Sequence, residues 1–331
     1  MAIDLGNNNT VFASSERQYA SYPSCIAWHR DSHAVKAVGQ EAYNMFGKAN
    51  GDLKVIKPLK DGVIVDFESA RCMLKHLVKH YAPRSSFFSG FDEIVAGIPF
   101  DTTEVERRAL RDALEQFGAN RIKLVFEPIA AAIGIGLNIQ EPDGKLLVDI
   151  GGGITEIVVI SLSGVVSHQS IKVAGDAFDE DIQQFFKSNY SMSVGMRIVE
   201  QLKINVGAAT ESLQEVPKPC RVVGKNLMTG LPAGQQIDHQ EIAYILNGSI
   251  TKIEQAVLQA LEECPPELAG DIYENGIHLT GGGSLLRGLK QRLEEKTKLP
   301  VHHDENALFS VAKGLATVMQ SAKSFKPVLF Q

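Results

Sequence analysis

Two similar stretches of sequence, 145 residues apart (residue 4 to residue 149), constrain the fold most strongly. In the first, the short apolar run Ala2–Leu5 contains Asp4 and leads through Gly6 and three asparagines into a second β-like run. In the other, the run Leu147–Ile150 contains Asp149 and leads through three glycines into another β-like run. A strand, an acidic residue and a glycine turn also occur in ordinary hairpins, so either copy alone would carry little weight. Together they predict two related lobes, each presenting a tight hairpin.

Short apolar runs alternate with longer amphipathic runs along the chain, which is typical of layered α/β folds. The predicted strands cover Ala2–Leu5, Ile94–Ile98, Leu146–Ile150, Ile157–Ile160 and Ile277–Thr280. The predicted helices cover Ser69–Tyr81, Thr103–Phe117, Ile129–Gly136, Phe178–Asn189, Arg197–Val206, Glu241–Glu263 and Leu285–Lys298. The segment from Glu211 to His239 is rich in Pro, Gly and short β-like runs, and we expect it to form a small peripheral subdomain.

Composition excludes several classes of protein. The chain has 331 residues, which corresponds to about two domains of roughly 150 residues each. A net charge of −6 argues against sequence-independent binding to nucleic acid. The four cysteines form no C-x-x-C pair, so we expect free thiols in a reducing compartment rather than disulfides or a zinc site. No apolar run reaches about 20 residues and no signal peptide is recognisable, which predicts a soluble cytoplasmic protein.

The last four residues, Val328–Gln331, resemble the remnant of an engineered 3C-type protease site. They are therefore left out of the fold prediction.

The two predicted hairpins have the chemistry of a phosphate-binding site. Tight glycine-rich turns leave backbone N–H groups free to point at an anion, and glycine lets the backbone approach it closely. Asp4 and Asp149 precede these turns, where carboxylates suit Mg²⁺ together with phosphate oxygens. Each aspartate could instead cap its own turn, but the matched pair favours the metal. The candidate phosphate-binding residues are Gly6, Asn7, Asn8, Asn9 and Thr10 in the first turn and Gly151, Gly152, Gly153 and Ile154 in the second.

A third glycine-rich stretch follows a predicted strand and precedes a predicted helix. It contains Gly281, Gly282, Gly283 and Ser284. Glycines at this place leave room for a flat base or sugar to lie against the backbone, near the positive end of a helix.

Three charged residues lie on predicted helices. Glu127 precedes Pro128 at a helix start, where its carboxylate could orient or deprotonate a water. On spacing alone, a simple interaction with the helix dipole explains Glu127 better. Glu200 and Lys203 are three residues apart, and spacing alone indicates no more than a weak exposed ion pair.

In this order, the elements resemble the actin-like ATPase superfamily and, within it, the MreB family of bacterial actins. The resemblance covers most of the chain, and its motifs are highly specific to this family and its close paralogues. They are Val38–Gly39, Lys57–Ile64, Glu127–Gly134, Val148–Gly153, Val173–Asp176, Thr229–Pro232, Pro265–Leu268, Gly276–Leu289 and Val311–Gly314.

The resemblance implies an actin-like α/β fold of two related lobes, each with a small peripheral subdomain. Four subdomains would result. The implied boundaries are 1–29, 67–139 and 313–331 for subdomain IA, 30–66 for IB, 140–175 and 248–312 for IIA, and 176–247 for IIB.

The resemblance also implies ATP and Mg²⁺ in a central cleft, with Asp4 and Asp149 as metal ligands. Glu127 matches the family's water-positioning glutamate. Catalysis would then rest on Glu127, Asp149 and Thr155.

Glu200 and Lys203 match a helix that contacts the ribose, and Gly281–Ser284 match the family's adenosine motif. The family polymerises with ATP into paired antiparallel protofilaments at the inner membrane. It guides cell-wall synthesis with membrane partners such as RodZ and MreC. The resemblance therefore implies a cytoskeletal protein that determines cell shape.

Three departures from the family pattern stand out. The second loop usually reads D-I-G-G-G-T-T-E, whereas Ile154 here replaces the first threonine, whose hydroxyl helps to hold the attacking water. Loss of one positioned polar group can slow a reaction on the order of 100-fold, which predicts slow hydrolysis. Asn7 and Asn8 replace Thr and Ala in the first loop, and Met196 replaces a Glu before the ribose helix. Two alternatives stay open: an ATP-binding scaffold with little hydrolysis, and a monomeric phosphotransferase on the same fold.

Phe87 and Phe88 occupy the position of an apolar membrane-binding loop in the family, and Lys75, Lys79 and Arg84 precede them. Adjacent aromatic residues with basic neighbours suit insertion at an anionic membrane surface. The loop could equally fold its phenylalanines back onto the core. We expect a cytoplasmic protein that is peripheral at the inner face of the cell membrane.

Overall fold

A computed structural model describes residues 1–14, 18–81 and 91–330. Its strands are β1 (Ala2–Leu5), β2 (Asn9–Ala13), β3 (Tyr19–Pro23), β4 (Ile26–His29), β5 (Val35–Val38), β6 (Leu53–Ile56), β7 (Leu59–Lys60), β8 (Val63–Ile64), β9 (Glu93–Ile98), β10 (Arg121–Phe126), β11 (Lys145–Ile150), β12 (Thr155–Ser161), β13 (Gly164–Ile171), β14 (Met192–Ser193), β15 (Cys220–Asn226), β16 (Pro232–Ile237), β17 (Ile277–Thr280) and β18 (Val301–His303). Its α-helices are α1 (Gln40–Met45), α2 (Phe67–Tyr81), α3 (Glu104–Glu115), α4 (Glu127–Gly134), α5 (Gly175–Asn189), α6 (Met196–Val206), α7 (His239–Glu262), α8 (Pro266–Asn275), α9 (Leu289–Thr297) and α10 (Ser310–Gln320). Short 3₁₀ turns cover Gly282–Leu285, Ala307–Phe309 and Lys326–Val328.

Two mixed sheets with the same connections form the centre of the molecule. In the described residues, the first has the order β10-β9-β1-β2-β3 and the second has the order β18-β17-β11-β12-β13. In the first sheet, β1 pairs antiparallel with β2 and parallel with β9. In the second sheet, β11 pairs in the same way, antiparallel with β12 and parallel with β17. We call the first sheet with its helices lobe I and the second lobe II. The predicted relation between two lobes is confirmed.

Helices α4 and α10 cross between the sheets at very short distance. A Cβ atom added to Gly134 would lie 1.8 Å from the Ser310 carbonyl oxygen, and one added to Gly314 would lie 1.7 Å from the Ala130 carbonyl oxygen. No side chain fits at either position, so the two glycines allow the helix backbones to touch. The buried apolar cluster around this crossing contains residues of β1, β9, β11 and β12, and it therefore joins the two lobes.

Two small sheets extend from the lobes. One has the order β5-β4-β6 and carries α1, and the other has the order β14-β15-β16. The hairpin β15–β16 confirms β structure between Glu211 and His239, and the assignment of this segment to a peripheral subdomain stays a prediction. β4 begins at Ile26 and pairs with β5 and β6, so the implied boundary at residue 30 directly follows the first strand of this small sheet. The implied boundaries at 248 and 313 fall inside α7 and α10, and the division into four subdomains otherwise stays a prediction.

The predicted strands are all present, and the predicted helices are present with ends shifted by a few residues. One prediction needs a larger correction. The helix predicted from Leu285 begins at Leu289, because Gly288 adopts a left-handed conformation with φ +75° and separates it from the 3₁₀ turn.

The C-terminal residues Val328 and Phe330 pack on the rest of the fold. Val328 is buried in the cluster that joins the lobes. Phe330 exchanges two backbone hydrogen bonds with Leu124 at 3.0 and 3.1 Å. Its ring also packs on Phe126, with centroids 4.5 Å apart.

Among the described residues, no helix combines the length and apolar character needed to cross a bilayer. All four cysteines are free thiols, as predicted, and Cys25 and Cys264 are buried. Phe87 and Phe88 lie outside the described residues.

Candidate phosphate-binding cleft

The two predicted hairpins have the same geometry in the two lobes. The Gly6 N–H donates to the Asn9 carbonyl at 3.1 Å, and the Gly151 N–H donates to the Ile154 carbonyl at 3.0 Å. In β-strand register, Leu5 faces Thr10 as Ile150 faces Thr155. The sequence repeat therefore corresponds to two turns with the same hydrogen bond and strand register, and both turns line one space.

That space is a cleft of about 380 Å³ between the lobes. The hairpins and the third glycine-rich stretch line its polar part, and apolar side chains line the rest, as is common for nucleotide and cofactor sites. The predicted residues that line it are Asp4, Gly6, Asn7, Asn8, Asn9, Glu127, Asp149, Gly151, Gly152, Gly153, Ile154, Glu200, Lys203, Gly281, Gly282 and Gly283. The apolar lining includes Phe178, Ile204, Leu285, Leu286 and Leu308.

Three carboxyl groups in the cleft have raised pKa values. Burial raises the pKa of Asp4 to about 7, with a further contribution from the charge of Asp149. Burial likewise raises the pKa of Asp149 to about 6. Glu127 begins α4, and burial together with the charges of Asp4, Glu156 and Asp149 raises its pKa well above the usual range. Such a cluster of desolvated acids is typical of a functional site.

The cleft carboxylates fit a divalent cation. Asp4 is half-buried and Asp149 is buried, and the charge of Asp149 disfavours ionisation of Asp4. A bound cation would offset this repulsion between the two carboxylates. Within the described ranges no group of three or more His, Cys, Asp or Glu residues is arranged to hold a metal ion without other ligands. This donor set suits Mg²⁺, which takes one or two carboxylates and keeps positions for water and phosphate oxygens.

At the other end of the cleft, Glu200 and Lys203 do not form the exposed ion pair that spacing alone suggests. Lys203 donates to the Gly175 carbonyl at 2.8 Å and to Asp179 Oδ2 at 2.9 Å. Glu200 accepts a hydrogen bond from the hydroxyl of Tyr43, which comes from α1. Both residues face the cleft, and each is held by a partner from another element.

Three predicted hydroxyl groups do not face the cleft. Thr10 Oγ1 lies 2.9 Å from Ser24 Oγ, Thr155 Oγ1 donates to the Val173 carbonyl at 2.7 Å, and Ser284 Oγ donates to the Gly281 carbonyl at 2.7 Å. All three residues are buried. These hydroxyl groups therefore stabilise the loops by hydrogen bonds on the side away from the cleft. This placement does not favour a catalytic role for the Thr155 hydroxyl.

The third glycine-rich stretch also differs from its prediction. It forms the 3₁₀ turn Gly282–Leu285 instead of the first turn of an α-helix. Gly281 has φ +80°, and an added Cβ would lie 2.3 Å from Asp149 Oδ1. Glycine is required here by both the backbone conformation and the contact with the metal-ligand candidate.

Spacing in the sequence does not indicate the contacts around the first turn, one of which connects the two lobes. Asn8 Nδ2 donates to Asp176 Oδ1 at 2.8 Å, and Lys57 donates to Asn8 Oδ1. The Gly62 N–H donates to Asn7 Oδ1 at 2.9 Å. Lys57, Gly62 and Asp176 lie in motifs that carry the family resemblance, and the amide side chains of Asn7 and Asn8, where the family has Thr and Ala, are the sequence signal for these contacts.

A wider depression of about 690 Å³ lies elsewhere in lobe II, around Arg292. The Arg292 guanidinium is already paired with Glu254 at 2.7 Å and with Asn247 at 2.9 Å. Its charge is thus compensated within the protein, so this depression is a weaker candidate for binding phosphate than the cleft.

Comparison with known proteins agrees with this geometry. The family model "MreB/Mbl protein" matches residues 1–327. The cell shape-determining protein MreB of Escherichia coli (strain K12) is 41% identical over 321 residues, which cover 95% of this chain and 91% of that protein. The cell shape-determining protein Mbl of Bacillus subtilis (strain 168) is 38% identical over 322 residues, which cover 97% and 96%.

Among solved structures, MreB5 of Spiroplasma citri bound to AMPPNP matches with a TM-score of 0.92 and 33% identity, covering 98% of this chain and 97% of that one. The same protein bound to ADP matches equally well. A MamK double helical filament matches with a TM-score of 0.77 at 22% identity, and this likeness concerns the fold alone. The predicted actin-like fold is confirmed, and the chain belongs to the MreB/Mbl family.

Proposed function

We propose that this chain is an ATP-binding, filament-forming cytoskeletal protein that determines cell shape and hydrolyses ATP slowly. The observation that carries the proposal is the pair of matched hairpins facing one cleft that also contains three desolvated carboxyl groups. Relatives at 38–41% identity are named cell shape-determining proteins, and a relative at 33% identity is bound to AMPPNP and to ADP.

In this proposal the backbone N–H groups of the two hairpins hold the polyphosphate from both sides. Asp4 and Asp149 would hold Mg²⁺, which neutralises phosphate charge when bound. The apolar wall formed by Ile204, Leu286 and Leu308 takes the base, and Glu200 accepts from the ribose hydroxyls.

Glu127 is the residue that orients the attacking water. Its raised pKa favours the protonated form while Asp4 and Asp149 carry uncompensated charge. Once those charges are neutralised, Glu127 ionises more readily and its carboxylate can accept from a water. Ile154 lines the cleft with an apolar side chain, so the water has one hydrogen-bond partner fewer and turnover is slow.

The nucleotide part of the proposal is tested by isothermal titration with ATP in the presence and absence of Mg²⁺. We expect magnesium-dependent binding that Asp149→Asn weakens at least tenfold, because the variant loses one of two charged ligands. Asp112→Asn, at an exposed site on α3, is the matched control and leaves binding unchanged. No ATP binding by the unaltered protein would overturn the proposal.

Self-association is supported by an exposed apolar tip on the hairpin β15–β16. Leu227, Met228 and Leu231 are 47%, 82% and 65% exposed there. Exposed apolar side chains of this size at a projecting tip favour contact with another protein surface. We expect Met228→Asp to reduce sedimentable polymer, whereas Leu162→Asp, at an exposed turn between β12 and β13, leaves it unchanged.

A scaffold that binds ATP and assembles with little hydrolysis is the second candidate. Ile154 is the specific observation in its favour. Phosphate release measured on assembled protein distinguishes the two: a rate no higher than that of Glu127→Gln supports the scaffold.

The remaining elements of the proposal concern location and partners. We propose paired antiparallel protofilaments in the cytoplasm, peripheral at the inner face of the membrane, in contact with membrane proteins such as RodZ and MreC. Phe87 and Phe88 are the proposed membrane contact. Unchanged liposome binding by the Phe87→Ser/Phe88→Ser variant would refute that contact.

A further inference from the structure

Helix α1 of the small sheet β5-β4-β6 reaches across the mouth of the cleft to α6. Tyr43, on α1, donates its hydroxyl to Glu200 Oε2 on α6. The Arg197 guanidinium lies 5.6 Å from the centre of the Tyr43 ring, and Arg197 Nη1 donates to the Asn44 carbonyl at 3.1 Å. These contacts join residues more than 150 positions apart in sequence and connect the two lobes directly.

Glu200 is the residue through which this contact reaches the ligand. It lines the cleft beside Lys203 and Ile204. A carboxylate has two oxygens and accepts several hydrogen bonds. The hydrogen bond from Tyr43 to Oε2 restricts the plane of the carboxylate, and Oε1 can still accept from a ligand hydroxyl.

Tyr43 is well suited to fix that plane. Its ring packs against the buried cluster of Cys25, Ala27, Ala37 and Ala42, so the hydroxyl cannot follow Glu200 if the lobes separate. Burial, followed by the interaction with Glu200, raises the pKa of Tyr43 far above neutral pH, so the phenol stays a donor. The contact therefore exists only when α1 and α6 are close together.

We propose that Tyr43 is a positioning residue for the nucleoside end of the cleft: it holds the Glu200 carboxylate toward the ribose hydroxyls and thereby couples ribose recognition to closure of the two lobes. This inference rests on the proposed function, because it takes the ligand to be a ribonucleotide with its sugar at Glu200. It goes beyond that function by assigning sugar discrimination to a residue outside the cleft lining.

The test compares ATP with 2′,3′-dideoxy-ATP, which lacks the hydroxyls that Glu200 would bind. Tyr43→Phe keeps the ring, its packing and its contact with Arg197, and removes only the hydroxyl. We expect the unaltered protein to prefer ATP, and Tyr43→Phe to bind ATP about tenfold more weakly while binding the dideoxy analogue with unchanged affinity. Affinities are measured by isothermal titration with Mg²⁺.

The chain offers a matched control. Tyr190 donates its hydroxyl to Glu241 within lobe II, and neither residue is among the described residues that line the cleft. Tyr190→Phe removes the same kind of hydrogen bond and is expected to leave both affinities unchanged.

A double-mutant cycle makes the assignment independent of any effect on folding. We expect Glu200→Gln to weaken the binding of ATP but not that of the dideoxy analogue. If Tyr43 acts through Glu200, adding Tyr43→Phe to Glu200→Gln causes no further loss of ATP affinity. If Tyr43→Phe reduces the affinities for both nucleotides equally, the tyrosine only holds the lobes together and has no part in sugar recognition. If both affinities are unchanged, it has no role in binding. Either result overturns the inference. If the unaltered protein binds no ATP, the proposed function fails first, whereas ATP binding without preference over the dideoxy analogue refutes only the sugar assignment.

Discussion

Removal of the Asn8 side chain is expected to open the cleft in the absence of nucleotide. Asn8 is the link between Asp176 of lobe II and Lys57 of the small sheet. Asn8→Ala deletes both hydrogen bonds. Asp176 then keeps its ion pair with Lys57 at 4.0 Å and a long hydrogen bond from Asn7 Nδ2 at 3.4 Å, and the contact of Tyr43 with Glu200 is untouched. The variant also introduces the residue that the family pattern has at this position, so the turn itself tolerates it.

The magnitude follows from the partners. A hydrogen bond to a charged group contributes about 1.5–3 kcal/mol when buried. The Lys57 and Asp176 side chains are 28% and 34% exposed, so solvent screens both contacts and about 1–2 kcal/mol is a reasonable sum. That energy changes the ratio of closed to open molecules about 5- to 30-fold.

The assay is single-molecule energy transfer between labels at Lys48→Cys on the small sheet near α1 and Thr229→Cys at the β15–β16 tip, with Cys72 and Cys220 replaced by serine. Without nucleotide, Asn8→Ala should shift the distribution toward longer distances, and Mg-ATP should restore it. The control is Asn50→Ala, which removes an exposed Asn–Asp hydrogen bond of 3.2 Å within the small sheet's own loop. Identical distributions for Asn8→Ala and the unaltered protein without nucleotide would refute the reasoning.

Three further changes test the chemistry and the energetics. Glu127→Gln should reduce phosphate release at least 100-fold with ATP affinity retained, because it removes the group that accepts from water. Ile154→Thr should raise the rate of phosphate release by 10-fold or more, since it restores a hydroxyl beside the γ-phosphate position; an unchanged rate would exclude Ile154 as the cause of slow turnover. Burial raises the pKa of Glu156 from 4.5 to about 8, so the folded state retains a proton that the unfolded chain releases, and stability falls as pH rises from about 4.5 to about 8. Glu156→Gln should flatten this dependence in urea unfolding curves, and an equally steep dependence in the variant would assign it to other groups.

The hairpins were predictable because their information is local. An acidic residue before a glycine-rich turn, with alternating apolar residues on both sides, determines a tight hairpin without help from the rest of the chain. The repeat of that pattern then predicts two lobes, and the register of Leu5 with Thr10 and of Ile150 with Thr155 follows from equal turn lengths.

The contacts that close the cleft were not predictable in the same way. Asn8 meets Asp176 across 168 residues of sequence, and Tyr43 meets Glu200 across 157. These pairs depend on how two lobes pack, which no local pattern specifies. The hydroxyl of Thr155 is a related case: its residue type fits a phosphate loop, but the nearby Val173 carbonyl takes its hydrogen bond.

The central claim is that this cleft binds ATP and that binding controls assembly. The most direct measurement is high-speed sedimentation with Mg²⁺ and ATP, ADP or no nucleotide, with electron microscopy and phosphate release on the same samples. We predict that paired filaments form, that they are most abundant in the samples with ATP, and that phosphate release from these samples is slow. ATP binding without filaments under any of these conditions would contradict the cytoskeletal function, and the absence of ATP binding would contradict the account of the cleft itself.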